Sequence, residues 1–98
     1  MEKIQFNANQ SVFKVGELPD KMYLLVKGSV GISLPTNETN KPNFIIQENE
    51  LFGEMGVIEN ELRMATARCL VASEILSITK DEFDKRVNNS DVFVKGSL

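Results

Sequence analysis

Short apolar runs broken by clusters of Gly, Pro, Asn and acidic residues dominate this chain, and that rhythm predicts strands joined by turns. Residues 4–6 and 11–13 read as brief strands around Asn7-Ala8-Asn9-Gln10. Met22-Tyr23-Leu24-Leu25-Val26 is the strongest run, and Lys27-Gly28 turns it into a strand over residues 29–34. There Val30, Ile32 and Leu34 share one face, while Gly31 and Ser33 take the other. The polar residues 35–42 predict a mobile hairpin tip, and Phe44-Ile45-Ile46 predicts a buried strand. Glu48-Asn49-Glu50 predicts a turn, and closing strands are expected over residues 65–71 and 75–79. Eight or so strands at this spacing predict a mainly β fold, a double-stranded β-roll or jelly-roll-like barrel.

One helix is well marked. Thr79-Lys80-Asp81-Glu82 has the form of a capping box, in which the Thr79 hydroxyl and the Glu82 carboxylate each meet an orphan N–H. Ile78 and Phe83 stand at the positions of a hydrophobic staple. The helix is expected over about residues 80–87, burying Phe83 and Val87, with Asn88-Asn89-Ser90 ending it. A further turn is expected over residues 91–95, before Gly96.

At 98 residues this pattern fits one small domain: a roll over 4–79, the helix over about 80–87 and a short tail over 88–98. The net charge of −3 argues against a nucleic-acid backbone binder, though not against one buried phosphate. The chain has no histidine, which removes histidine-based metal sites and catalytic triads. Its single Cys69 cannot form an internal disulfide and, lying in an apolar run, reads as a core residue. No apolar stretch approaches the ~20 residues of a membrane span, and no leader opens the chain. The default is a cytoplasmic protein with no catalytic residue, metal or cofactor.

The chemistry concentrates in Phe52-Gly53-Glu54-Met55-Gly56 and Arg63-Met64-Ala65-Thr66-Ala67. Gly53 has no side chain to keep a ligand off the backbone, and a helix starting there offers unpaired N–H groups to an anion. Arg63 supplies a forked donor matched to phosphate oxygens. Ionised Glu54 accepts only, which suits sugar hydroxyls. A phosphate donor beside a hydroxyl acceptor describes a nucleotide site.

This stretch resembles the phosphate-binding cassette of the cyclic nucleotide-binding domain family, the sensor module of catabolite activator proteins, cyclic-nucleotide-dependent kinases and gated channels. Residues 6–17 are similar to that family's opening hairpin, and Met22 to Val30 to its central hairpin, so the likeness runs in order from about Ile4 to Val87. Asn9 stands where the family usually has glycine, a departure the turn tolerates because asparagine accepts the left-handed conformation.

The resemblance implies roles. Arg63 would pair with the exocyclic oxygens of a cyclic phosphate, helped by the Met64 and Ala65 amides. Glu54 would take the ribose 2′-hydroxyl, Gly53 and Met55 would line the pocket through backbone groups, and Ile32 would lie against the base. In the family a Thr or Ser after the arginine favours cyclic GMP. Met64 has no hydroxyl, so cyclic AMP is favoured here unless Thr66 reaches the pocket through a one-residue slip. Bland readings stand beside these: Arg63 as a surface residue paired with Glu59 or Glu61, Glu54 as a helix cap, Ile32 and Tyr23 as core. On sequence alone Arg63 gains its main partner only when phosphate is present, so its removal should leave the fold intact.

The chain shows no helix-turn-helix, kinase or channel segment and little of the family's terminal lid helix. The resemblance therefore implies a bare sensor without catalysis, acting through an unidentified effector protein or domain, with no nucleic acid or membrane span involved. The alternative is a degenerate roll kept for interaction or dimerisation, its pocket empty.

Overall fold

The computed structural model describes residues 1–88 of the chain. It contains strands β1 (Glu2–Phe6), β2 (Ser11–Phe13), β3 (Lys21–Lys27), β4 (Val30–Ser33), β5 (Phe44–Ile46) and β6 (Leu51–Phe52), then helix α1 (Glu54–Glu59), strands β7 (Thr66–Cys69) and β8 (Ser73–Thr79), and helix α2 (Lys80–Asn88). The strands form two four-stranded antiparallel sheets, ordered β1-β8-β3-β6 and β2-β7-β4-β5. This is the expected β-roll.

Alternation along β3 serves two cores. Tyr23 and Leu25 face the space between the sheets, where they join Phe13, Val30, Phe52, Ala67, Cys69 and Ile75. Met22 points the other way, into a second cluster with Val57 of α1, Ile78 and Phe83 of α2, and Leu24 packs against it. Because both faces of β3 are covered, it reads as a continuous apolar run rather than a half-polar one. Cys69 is fully buried, and burial raises its thiol above the ordinary value, offset in part by a hydrogen bond with Ser73.

The local turn chemistry follows the residues. Asn9 has φ 70, the left-handed value expected of it. At α2 the Thr79 amide donates to Glu82 Oε1 (2.9 Å) and the Glu82 amide to Thr79 Oγ1 (3.1 Å), which is the capping box. The side chain of Val87 and the expected features over residues 89–98 lie outside the described residues.

One expectation is corrected. Phe44 and Ile45 are 59% and 55% exposed, not buried, because β5 is an edge strand that pairs with β4 alone. In the polar segment 35–42, Asn37 Nδ2 donates to Lys41 O and Asn43 Oδ1, and Asn37 Oδ1 accepts from the Thr39 amide. Pro42 folds back over Gly31, where an added Cβ would come within 2.9 Å of the proline ring. Among the described residues no helix is long and apolar enough to cross a membrane.

Candidate functional site

β6 runs into Gly53, which holds φ 74 and lets the chain turn at once into α1. A Cβ there would lie 2.9 Å from Phe13 Cε2 and 3.0 Å from Arg63 Nη1, so glycine is required for space as well as for conformation. α1 ends at Asn60, φ 55, whose amide bonds back to Gly56 O. The next three residues bring Arg63 under the turn. Its carbonyl accepts from the Gly16 amide (2.8 Å), and its own amide donates to Glu17 O (2.9 Å). The loop after β2 thus grips the backbone at Arg63 from both sides.

The cavity enclosed by these elements has a volume of about 320 Å³, within the size range of small-molecule sites. Gly53, Glu54, Met55, Arg63, Met64, Ala65 and Ile32 all line it. Every residue to which the resemblance assigns a ligand-binding role therefore lines one cavity. Phe13, Leu51, Leu62, Glu59 and Glu61 line it too and were not anticipated as site residues. Leu62 directly precedes Arg63, and that adjacency is the signal that could have found it. Phe13 comes from a distant strand and gives no local signal.

Arg63 differs from both simple readings of it. It is 5% exposed, so it is no surface arginine, and among the described residues it forms no ion pair with Glu59 or Glu61. Its guanidinium donates instead to Gly53 O and Lys21 O and lies 4.1 Å from the centre of the Phe13 ring. Phe13, Tyr23 and Phe52 pack together beneath it, ring centres 5.7–6.3 Å apart. The expectation that Arg63 gains its main partner only with phosphate is therefore corrected: the fold already holds it by two carbonyls and a ring face. Burial lowers the proton affinity of the guanidinium, and Tyr23, Asp20, Glu17 and Glu54 act the other way. An arginine stays charged through such a shift.

Glu54 stands in the first turn of α1, half-buried, without a side-chain capping bond at the helix start. Its carboxylate is close enough to act on the charge of Arg63. Thr66 does not reach the cavity. It pairs with Ser33 on the face opposite Ala67 and Ile32, and its Oγ1 accepts from the Val15 amide at 3.2 Å. Tyr23 is 9% exposed and belongs to the core, and burial, with Asp20 next, raises its phenol above the ordinary value. Among the described residues no group of His, Cys, Asp and Glu is placed to hold a metal ion.

Comparison with known proteins agrees with this architecture. The cyclic nucleotide-binding domain model matches residues 3–90. The EAL enzyme Bd1971 in a halfsite-occupied form superimposes with a TM-score of 0.83 at 32% identity, over 96% of this chain and 85% of that one. The catabolite activator protein of Thermus thermophilus shares the fold, with a TM-score of 0.78 at 20% identity over 90% of this chain and 42% of that one. The cGMP-dependent protein kinase of Eimeria tenella is 30% identical over 84 residues, which is 86% of this chain but 8% of the kinase. The chain thus spans a small part of that relative. It belongs to the cyclic nucleotide-binding domain family, a regulatory β-roll.

Proposed function

We propose that this chain is a sensor that binds a cyclic nucleotide, cyclic AMP in preference to cyclic GMP, and has no catalysis of its own. The observation that carries the proposal is the shared cavity wall of Gly53, Glu54, Arg63 and Ala65, with a forked cation and a half-buried carboxylate on one concave surface. Arg63 takes the exocyclic phosphate oxygens with the Met64 and Ala65 amides, and small Ala65 lets the phosphate approach the backbone. Glu54 accepts from the ribose 2′-hydroxyl, Gly53 and Met55 contribute backbone groups, and Ile32 meets the base. The preference for adenine rests on Met64, which has no hydroxyl for the guanine amino group. The preference is one of degree, since the related Bd1971 has been solved with cyclic AMP and with cyclic GMP. Output passes to an effector protein or domain in the cytoplasm.

One observation favours the second reading, a roll kept for interaction or dimerisation. Arg63 already has protein partners in Gly53 O and Lys21 O, as a purely structural arginine would. Titration calorimetry with the two cyclic nucleotides separates the readings. Saturable binding of either is expected, tighter for cyclic AMP; no heat with both supports the empty roll.

A further inference from the structure

We infer that Phe13 is a positioning residue of the cavity, delivered there by a bulge in β2. Its ring face sets the tilt of the Arg63 guanidinium and holds the remaining N–H groups ready for a bound phosphate. The inference rests on the nucleotide reading above and adds the part that aims its cation. Phe13 lines the cavity together with Arg63, and the guanidinium carbon lies over its ring, 4.1 Å from the centre. Of the five N–H groups of a guanidinium, two are given to Gly53 O and Lys21 O, one from each terminal nitrogen. The others are left for a ligand.

The backbone of β2 explains how the ring arrives. Ser11 stands opposite Arg68, and an unbroken antiparallel register would set Val12 against Ala67 and Phe13 against Thr66. Phe13 stands opposite Ala67 instead, because the register shifts between Ser11 and Phe13. A slip of one residue moves a side chain to the other face of a sheet, and bulges re-aim side chains in this way. Ala67 is in the core, whereas Thr66 holds the Val15 amide on the opposite face. The bulge thus carries Phe13 from the face of Thr66 to the face of the cavity. Tyr23 and Phe52, from the other sheet, pack against it there, with ring centres 6.0 and 6.3 Å away.

Two hydrogen bonds fix one edge of a planar group but leave it free to pivot about the line joining the bonded nitrogens. A ring beneath the plane stops that pivot, and its quadrupole attracts the cation to the face. An aliphatic side chain of similar size fills the space without that attraction. A cation that its ligand must first put in order binds more weakly, by about two- to tenfold for one immobilised side chain. The loss falls on the phosphate side. The proposed ribose acceptor, Glu54, stands on α1 and keeps its place.

The test replaces Phe13 of the whole chain by pentafluorophenylalanine, which keeps the ring's shape and reverses its quadrupole, with Phe13→Leu alongside. Titration calorimetry with cyclic AMP and its 2′-deoxy analogue reads affinity. NMR of the ligand-free protein reads the Arg63 side-chain protons, which a ring face shifts upfield. In the fluorinated protein the upfield shift should shrink and affinity should fall by about two- to tenfold, with the 2′-deoxy penalty unchanged. Phe13→Leu should lose affinity likewise; if it fails to fold, the fluorinated protein decides alone. Unchanged affinity, or a loss with the Arg63 shift unmoved, overturns the inference and leaves Phe13 a core residue only. A gain in affinity overturns it too, since the ring would then compete with phosphate for the cation. A 2′-deoxy penalty that changes along with the affinity marks a general loosening of the cavity and overturns it likewise. Failure of the wild type to bind cyclic AMP at all is a different result: it overturns the nucleotide reading, and the role of Phe13 with it.

Discussion

Two turns in this roll set a left-handed glycine against a buried polar side chain, and they put the arrangement to different ends. Gly28, φ 115, closes the turn between β3 and β4, where a Cβ would come within 2.8 Å of the Ser73 Cα. Ser73 is 3% exposed; its hydroxyl donates to Val71 O at 2.8 Å and accepts from the Ser29 amide at 3.2 Å. That pairing is neutral and locally complete. At Gly53 the buried partner is Arg63, a full charge held by carbonyls and an aromatic face and opening on a cavity. Stability does not require such a charge, since well-packed apolar residues replace buried ionic groups at little loss or with gain. The first turn is a joint in the fold. The second is a joint that also brings to the cavity an arginine with no ion pair among the described residues, the group that the proposed phosphate site would use.

The most severe break in this comparison is Arg63→Ala. Removing one member of a buried charged contact typically costs ~3–5 kcal/mol, so affinity for cyclic AMP should fall by roughly two to four orders of magnitude. The ligand-free fold should suffer too, because Gly53 O and Lys21 O lose their donor and Phe13 its cover. A loss of about 2–3 kcal/mol, or about 10 °C or more in Tm, is expected. Thermal denaturation without ligand checks this; an unchanged Tm would show that the carbonyl contacts carry no stability. Arg63→Lys should recover part of the Tm and little of the affinity, since an ammonium lacks the fork.

The two glycines come next. Gly28→Ala forces a side chain at positive φ onto the Ser73 backbone, and ~2–4 kcal/mol of stability should go. The remaining folded protein should bind nucleotide as before. Gly53→Ala also puts a side chain at positive φ, 74 rather than 115, but crowds Phe13 and Arg63 at 2.9 and 3.0 Å, so stability and affinity should fall together. Chemical denaturation and titration on both variants provide the check. Equal binding losses would show that the turns are equivalent after all.

This contrast also marks how far the sequence could be read. The cavity wall was legible because most of it is one stretch, residues 53–65, in which glycine, carboxylate and arginine each have a distinct chemical use. Asn9 and the Thr79–Glu82 box were legible for the same reason, as local hydrogen bonding and local φ decide them. The setting of Arg63 was not. Its partners are a ring from β2 and a carbonyl from Lys21, and a carbonyl looks the same at every residue. Nor does an apolar triplet say whether its strand lies at a sheet edge, which is why Phe44 and Ile45 were expected inside.

Glu54 sharpens the comparison from the ribose side. In Glu54→Gln an oxygen acceptor remains but the charge-assisted part of the bond is lost, so about tenfold in affinity should go. The penalty for a 2′-deoxy analogue should shrink in the variant, a coupling that a double-mutant cycle of protein and ligand measures. Simple additivity would remove Glu54 from the hydroxyl.

The smallest expected effect concerns the base. Met64 lines the cavity yet is 73% exposed, so it stands at the rim and not in the floor with Arg63. A hydroxyl placed there would meet a guanine amino group partly in water, where one hydrogen bond contributes about 0.5–1.5 kcal/mol. Met64→Thr should therefore move the ratio of cyclic GMP to cyclic AMP affinity upward by about two- to tenfold. Arg63 is untouched by the change, so the Tm and the 2′-hydroxyl dependence should stay as they are. The register supports the choice of position: Thr66, the other hydroxyl in this stretch, is engaged with the Val15 amide on the opposite face. Thr66→Ala consequently serves as the matched control, expected to leave the ratio alone. Side-by-side titrations of both nucleotides against both variants decide the matter. A shift from Thr66→Ala, with none from Met64→Thr, would mean that the base lies on the other side of the strand from Arg63.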